Sequence, residues 1–159
     1  MAHQDFQTSS EYQTALDQVF AAARQRIRLY DATLDKDGFN GKARYEALRN
    51  FCLPGNGHRM EILLDDPAYL QPHCPRLMAL LRDFSHIIEV RQTDMDSGPP
   101  DFGFVLADRS VWLKRFDKTA FPGQLDMDDA ASAALLHQQF DHLWQRAVAS
   151  MSATTLGLG

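Results

Sequence analysis

Two cysteines, Cys52 and Cys74, in a chain of 159 residues are too few for a disulfide framework and too far apart for a Cys-x2-Cys metal pair. They suit a reducing compartment. No apolar run approaches the roughly 20 residues that cross a bilayer. The start, Met1-Ala-His-Gln-Asp-Phe, lacks the basic-then-apolar order of an export signal. The expectation is a cytoplasmic protein with no membrane partner. Basic charge is also short: 16 Lys and Arg face 21 Asp and Glu, a net charge of −5. Bulk nucleic-acid binding by the whole surface is therefore not expected, although a local basic site is compatible with that total. Apolar residues, at 45% with 23% charged, give globular rather than disordered composition. The length suits one domain with a sizeable core.

Ser10 and Gln13 have capping-box spacing, and Tyr12, Leu16, Val19, Phe20 and Ala23 follow at helical intervals. Arg26-Ile-Arg-Leu-Tyr-Asp31 alternates strictly and predicts a strand with Ile27 and Leu29 on one face. After the Lys36-Asp-Gly-Phe39 turn, Asn40 is expected to cap a helix carrying Tyr45, Leu48, Phe51 and Cys52, which Pro54-Gly-Asn-Gly57 stops. Arg59–Asp65 becomes apolar on both faces and predicts a central strand. Pro75 suits the first turn of a helix with Leu77, Leu80, Leu81 and Phe84 on one stripe. Ile87–Arg91 is a third strand, and strands at 102–107 and 110–115 form a hairpin around Asp108-Arg109. After a loop at Lys118–Met127, a last helix carries Leu136, Phe140, Leu143, Trp144 and Ala147. Strands alternating with helices predict an α/β domain over residues 9–151, a mixed, mostly parallel sheet with helices on both faces. Residues 1–8 and 152–159 are expected to be flexible termini.

This order, from about residue 12 to residue 148, resembles a single module of the phospholipase D-like superfamily. The segments that carry the resemblance are Arg26–Asp31, His58–Asp65 with His73-Cys-Pro-Arg-Leu77, Ile87–Arg91, Asp101–Asp108 and Leu135–Trp144. It most resembles uncharacterised bacterial members, some of which occur attached to acetyltransferase domains. The resemblance implies that active members use a His-x-Lys-x4-Asp motif. One histidine attacks phosphorus, a second from a facing module protonates the leaving group, and lysines hold the phosphate oxygens. At that spacing this chain has Asp101, Gly103 and Asp108. A carboxylate beside an anionic phosphodiester is electrostatically misplaced as nucleophile. The Gly-Ser-x-Asn turn of the superfamily is replaced by Arg115-Phe-Asp-Lys118. Because only one module is present, the resemblance also implies a homodimer.

Four basic residues, Arg109, Lys114, Arg115 and Lys118, crowd into a short stretch of an acidic chain. They fit either an anion site at the degenerate catalytic edge or, more economically, a charged sheet edge that resists strand addition. His73-Cys-Pro-Arg76 stands at a helix start, where Arg76 could grip an anion and Cys74 could have a lowered pKa. The plainer alternative is a Pro-initiated helix with a structural histidine. Asp35-Lys-Asp-Gly38 does not place calcium ligands correctly and is a turn. His137 and His142 lie about 140° apart on a helix, too far round to share a metal. No metal or cofactor is expected.

The leading expectation is a non-catalytic binding or interaction module. Its ligand would be an anionic or phosphate-bearing small molecule, or a partner protein, held near His73, Arg76, Arg91, Asp108, Arg109 and Arg115. The alternatives are a phosphodiester hydrolase or transferase using a relocated histidine, His73 or His86, and a structural homodimer.

Overall fold

Thr8 opens the first helix, α1 (Ser9–Ala22): its hydroxyl accepts from the Glu11 amide, and the Glu11 carboxylate accepts from the Thr8 amide. The capping box expected at Ser10 and Gln13 thus lies two residues earlier, where an ionised Glu also meets the positive helix end. The computed structural model describes residues 3–55 and 57–151; the tail at 152–159 lies outside the described residues.

Eight strands form one sheet: β1 (Gln4–Phe6), β2 (Arg26–Asp31), β3 (Arg59–Leu64), β4 (Ile88–Gln92), β5 (Gly103–Ala107), β6 (Val111–Arg115), β7 (Gly123–Asp126) and β8 (Val148–Met151). Their order across the sheet is β1-β7-β6-β5-β2-β3-β4-β8. The α/β class, the mixed sheet and the helices on both faces are as expected, but the balance of strand directions is not. Among the described residues, parallel pairing is confined to β2–β3 and β3–β4, the strands joined by helical crossovers. The remaining pairings are antiparallel; for β5–β6 and β6–β7 the connections are too short for a crossover. Strands β1, β7 and β8 had no expected counterpart. They are too short for alternation to register, and β1 falls in the stretch expected to be mobile.

Helices α1, α2 (Lys42–Cys52), α3 (Leu70–His73) and α4 (Pro75–Asp83) cover one face. There Leu16, Val19, Leu48, Leu77 and Leu81 pack with Ile27, Leu29, Ile62, Val90 and Val105. Helix α5 (Ala130–Arg146) covers the other face with Leu136, Phe140, Leu143 and Trp144, against Tyr30, Leu63, Phe104, Leu106 and Trp112. The alternation of β2 is satisfied on both sides: Ile27 and Leu29 enter the first core, while Arg28 and Tyr30 face α5. Asn40 does not cap α2, whose N-cap is Gly41. Its side-chain oxygen instead accepts from the Arg76 amide in the first turn of α4, and its carbonyl accepts from the Arg76 guanidinium. A polar residue in the β2–α2 connection therefore ties down the start of a different helix.

Candidate functional site

Open α/β sheets usually hold ligands beyond the C-terminal ends of their parallel strands. Here that edge is formed by Asp31 at the end of β2, Asp65 just after β3, Gly103 at the start of β5 and Arg115 at the end of β6. Arg115 is buried, with Nη2 2.6 Å from Asp31 and 3.9 Å from Asp37. Its Nη1 donates to the carbonyls of Lys118 (3.1 Å) and Ala120 (2.9 Å), and its guanidinium lies 4.9 Å from the Tyr12 ring centroid. Burial opposes this charge, but Tyr12, Asp31 and Asp37 together hold the guanidinium above its ordinary value. Burial and the neighbouring Asp31 charge push Asp37 well above the usual carboxylate range. Asp37 accepts at Oδ1 from the Tyr12 hydroxyl (3.0 Å), and its Oδ2 is buried without a partner among the described residues. Two carboxylates and one guanidinium thus share a closed space that disfavours a second negative charge.

Lys118 completes the edge. Its ammonium donates to Asp65 (2.6 Å), to the Tyr30 hydroxyl (2.6 Å) and to the Pro100 carbonyl (2.8 Å). Tyr30 in turn donates to the other oxygen of Asp65 (2.8 Å), and burial, then Asp65, raises its pKa. Only 14% of the Lys118 side chain and 14% of that of Asp65 is exposed, so little of this charge faces solvent. A Cβ at Gly103 would lie 3.3 Å from the Tyr30 carbonyl, 3.4 Å from Arg115 Nη2 and 3.5 Å from Lys118 Cβ. Gly103 is therefore flanked by the side chains of Arg115 and Lys118.

The opposite edge, where β2 begins, is open. A cavity of about 380 Å³ is lined by Gln25, Arg26, Arg28, Asp108, Arg109, His137 and Asp141. Asp108 occupies the β5–β6 turn in left-handed backbone (φ 52°), a conformation that Asp tolerates. Its carboxylate accepts from the amides of Arg24, Gln25 and Arg26, and its own amide donates to the Arg26 carbonyl. Arg28 is buried and spent: it donates to Glu61 (3.0 Å), to His137 Nδ1 (3.2 Å) and to Asp141 (2.6 Å). His137 Nε2 lies 2.8 Å from the Asp108 carbonyl, which can only accept, so the proton sits on Nε2 and Nδ1 receives the Arg28 bond. Burial, with Arg28 and Arg26 nearby, lowers the His137 pKa and so favours the neutral ring.

The six residues expected to form one site are dispersed. Asp108 and Arg109 share the open cavity, whereas Arg115 lies buried at the far edge of the sheet. Arg91 pairs with Glu89 (2.7 Å) and sits 4.2 Å over the Trp144 ring. His73 stacks on Tyr69 at 4.5 Å, and Arg76 is held by Asn40. Burial, and secondarily Asp37, raises the Cys74 thiol, the opposite direction from the lowering considered for that helix start. The sequence reading missed Arg26, Arg28 and His137 in the cavity and Tyr30, Asp37 and Asp65 at the closed edge. The alternation of β2 was a usable signal, since it places Arg26, Arg28 and Tyr30 together on the α5 face.

The family described as a domain of unknown function (DUF7931) matches residues 8–156. No curated protein matches the chain. Among solved structures, Nuc from Salmonella typhimurium, a phospholipase D family member, is 14% identical with a TM-score of 0.63, over 95% of this chain and 99% of its own. NucT from Helicobacter pylori is 13% identical with a TM-score of 0.61, over 94% of this chain and 99% of its own. TrmBL2, an archaeal chromatin protein whose structure shows a novel mode of DNA binding, is 16% identical with a TM-score of 0.66. That match covers 94% of this chain but 55% of TrmBL2, so the chain spans about half the length of that protein. Identities this low carry the fold alone, which is that of the phospholipase D family members.

Proposed function

The chain belongs to the DUF7931 family, a domain of unknown function, and we propose that it is a non-catalytic phospholipase D-like domain acting as a binding module. The observation that carries this reading is the state of the motif edge. Arg115 and Lys118 are consumed by Asp31 and Asp65, and a side chain at Gly103 would press on the Tyr30 carbonyl and on both of those cationic side chains. Phosphoryl transfer needs a nucleophile together with cations free to stabilise the developing charge. Asp101 offers neither a suitable nucleophile nor a cation.

A relocated histidine has little to support it. An oriented base needs a carboxylate partner within hydrogen-bond reach. Asp31 and Asp108 are otherwise engaged, Asp31 by Arg115 and the Ala32 amide, and Asp108 by three backbone amides. The net charge of −5 also favours a discrete ligand over bulk nucleic acid.

The test is hydrolysis of bis(p-nitrophenyl) phosphate and of single- and double-stranded DNA by the purified chain. Rates at the level of the blank are expected. Turnover that His73→Ala or His86→Ala abolishes would replace this reading with a hydrolase.

A further inference from the structure

We propose that the cavity at the beginning of β2 binds a small oxyanion, a phosphate or carboxylate head group whose other end carries a hydrogen-bond donor. This rests on the binding-module reading above and assigns it to the opposite end of β5 from Gly103 and Arg115, where Asp108 stands. Three arginines reach the cavity, Arg26, Arg28 and Arg109, while Asp108 and Glu61 nearby are already committed and Asp141 is so at one oxygen. The Asp108 charge is taken up by three amides. Glu61 accepts from Arg26 and Arg28, and Asp141 accepts from Arg28 at one oxygen.

What remains is asymmetric. Arg109 is exposed at the tip of the turn and, among the described residues, stands outside the ion pairs of Arg26 and Arg28. Arg26 is 44% exposed at its side chain and keeps its Nη1 donors, and Gln25 adds an amide. Planar guanidinium forks match the paired oxygens of phosphate and carboxylate. On the far wall, the second oxygen of Asp141 is an acceptor, which suits a hydroxyl or ammonium and repels a second anionic arm. The frame is fixed in advance by the bonds between Asp108 and Gln25–Arg26 and by the single tautomer of His137, so little ordering accompanies binding.

Titration of the 15N-labelled chain with inorganic phosphate, ribose 5-phosphate and gluconate tests this by amide shift mapping. Saturable shifts at Gln25, Arg26, Asp108 and Arg109 are expected. A ligand with a hydroxyl to reach Asp141 should bind about tenfold more tightly than inorganic phosphate. Preference for ribose 5-phosphate or for gluconate names the head group, and either supports the proposal. Arg109→Ala, a change at an exposed turn, should weaken binding about tenfold or more, and Arg109→Lys should recover part of it. The proposal is overturned if none of the three binds, or if Arg109→Ala and Arg26→Ala bind as the parent does. Shifts confined to residues 101–103 and 115–118 would also overturn it. The hydrolysis assay would still decide the non-catalytic reading separately.

Discussion

Arg115 donates to Asp31 at 2.6 Å, with the Arg115 guanidinium 3.4 Å from where a Cβ on Gly103 would stand. This pair links the degenerate motif to its consequence: the cation that could serve a phosphate is held inside the protein by a carboxylate of its own sheet. A lysine placed at Gly103 should therefore disturb this pair. The Tyr30 carbonyl cannot move without the sheet, and Arg115 is pinned by Asp31, Lys118 and Ala120. Gly103→Lys is expected to destabilise the fold by about 1–3 kcal/mol in urea unfolding, and Gly103→Ala to destabilise rather than stabilise. A stabilised Gly103→Ala would mean that the wall yields.

Asp37 should make stability depend on pH with an uncommon sign for a carboxylate. Its folded pKa is raised, by burial and then by Asp31, whereas an unfolded aspartate ionises near about pH 3.9. Between those values the folded state binds the extra proton. This contribution is complete below the unfolded pKa and is lost as pH rises towards the folded one. Asp37→Asn keeps an acceptor for Tyr12 and removes the titration. Its urea midpoint at pH 7 should exceed that of the parent, with a flatter slope from pH 4 upward. An unchanged slope would mean that Asp37 ionises freely in the fold.

Trp144 closes the second core. It is 8% exposed, stacks on Phe140 at 5.5 Å between centroids, and carries the Arg91 guanidinium on its outer side. Trp144→Ala should cost about 3–5 kcal/mol, measured by chemical denaturation. A loss under about 1 kcal/mol would show that α5 is held elsewhere.

Much of this architecture was legible in local pattern. The alternation of Arg26–Asp31, Pro75 in the first turn of its helix and the turn at Asp108 each depend on a few neighbouring residues and are as expected. The site was far less legible, because it is made by partners distant in sequence. Arg109, Lys114, Arg115 and Lys118 read as one basic cluster. The hairpin gives them four settings: a free turn, the face of Phe102 at 4.0 Å, a buried carboxylate pair and the Asp65–Tyr30 network. Arg28 similarly acquires its role only through His137 and Asp141 on α5. Strands β7 and β8 were missed because four residues, lent register by a neighbouring strand, carry no periodic signal of their own.

The closed motif edge is tested most directly by acylating the native chain with acetic anhydride and following Lys118 by peptide mass spectrometry beside Lys42, which is exposed at the start of α2. An ammonium held by Asp65, Tyr30 and Pro100 should stay unmodified while Lys42 reacts, and should react at a comparable rate only once the chain is unfolded. Labelling of Lys118 in the folded protein as fast as Lys42 would mean an open cationic edge, and would contradict the account.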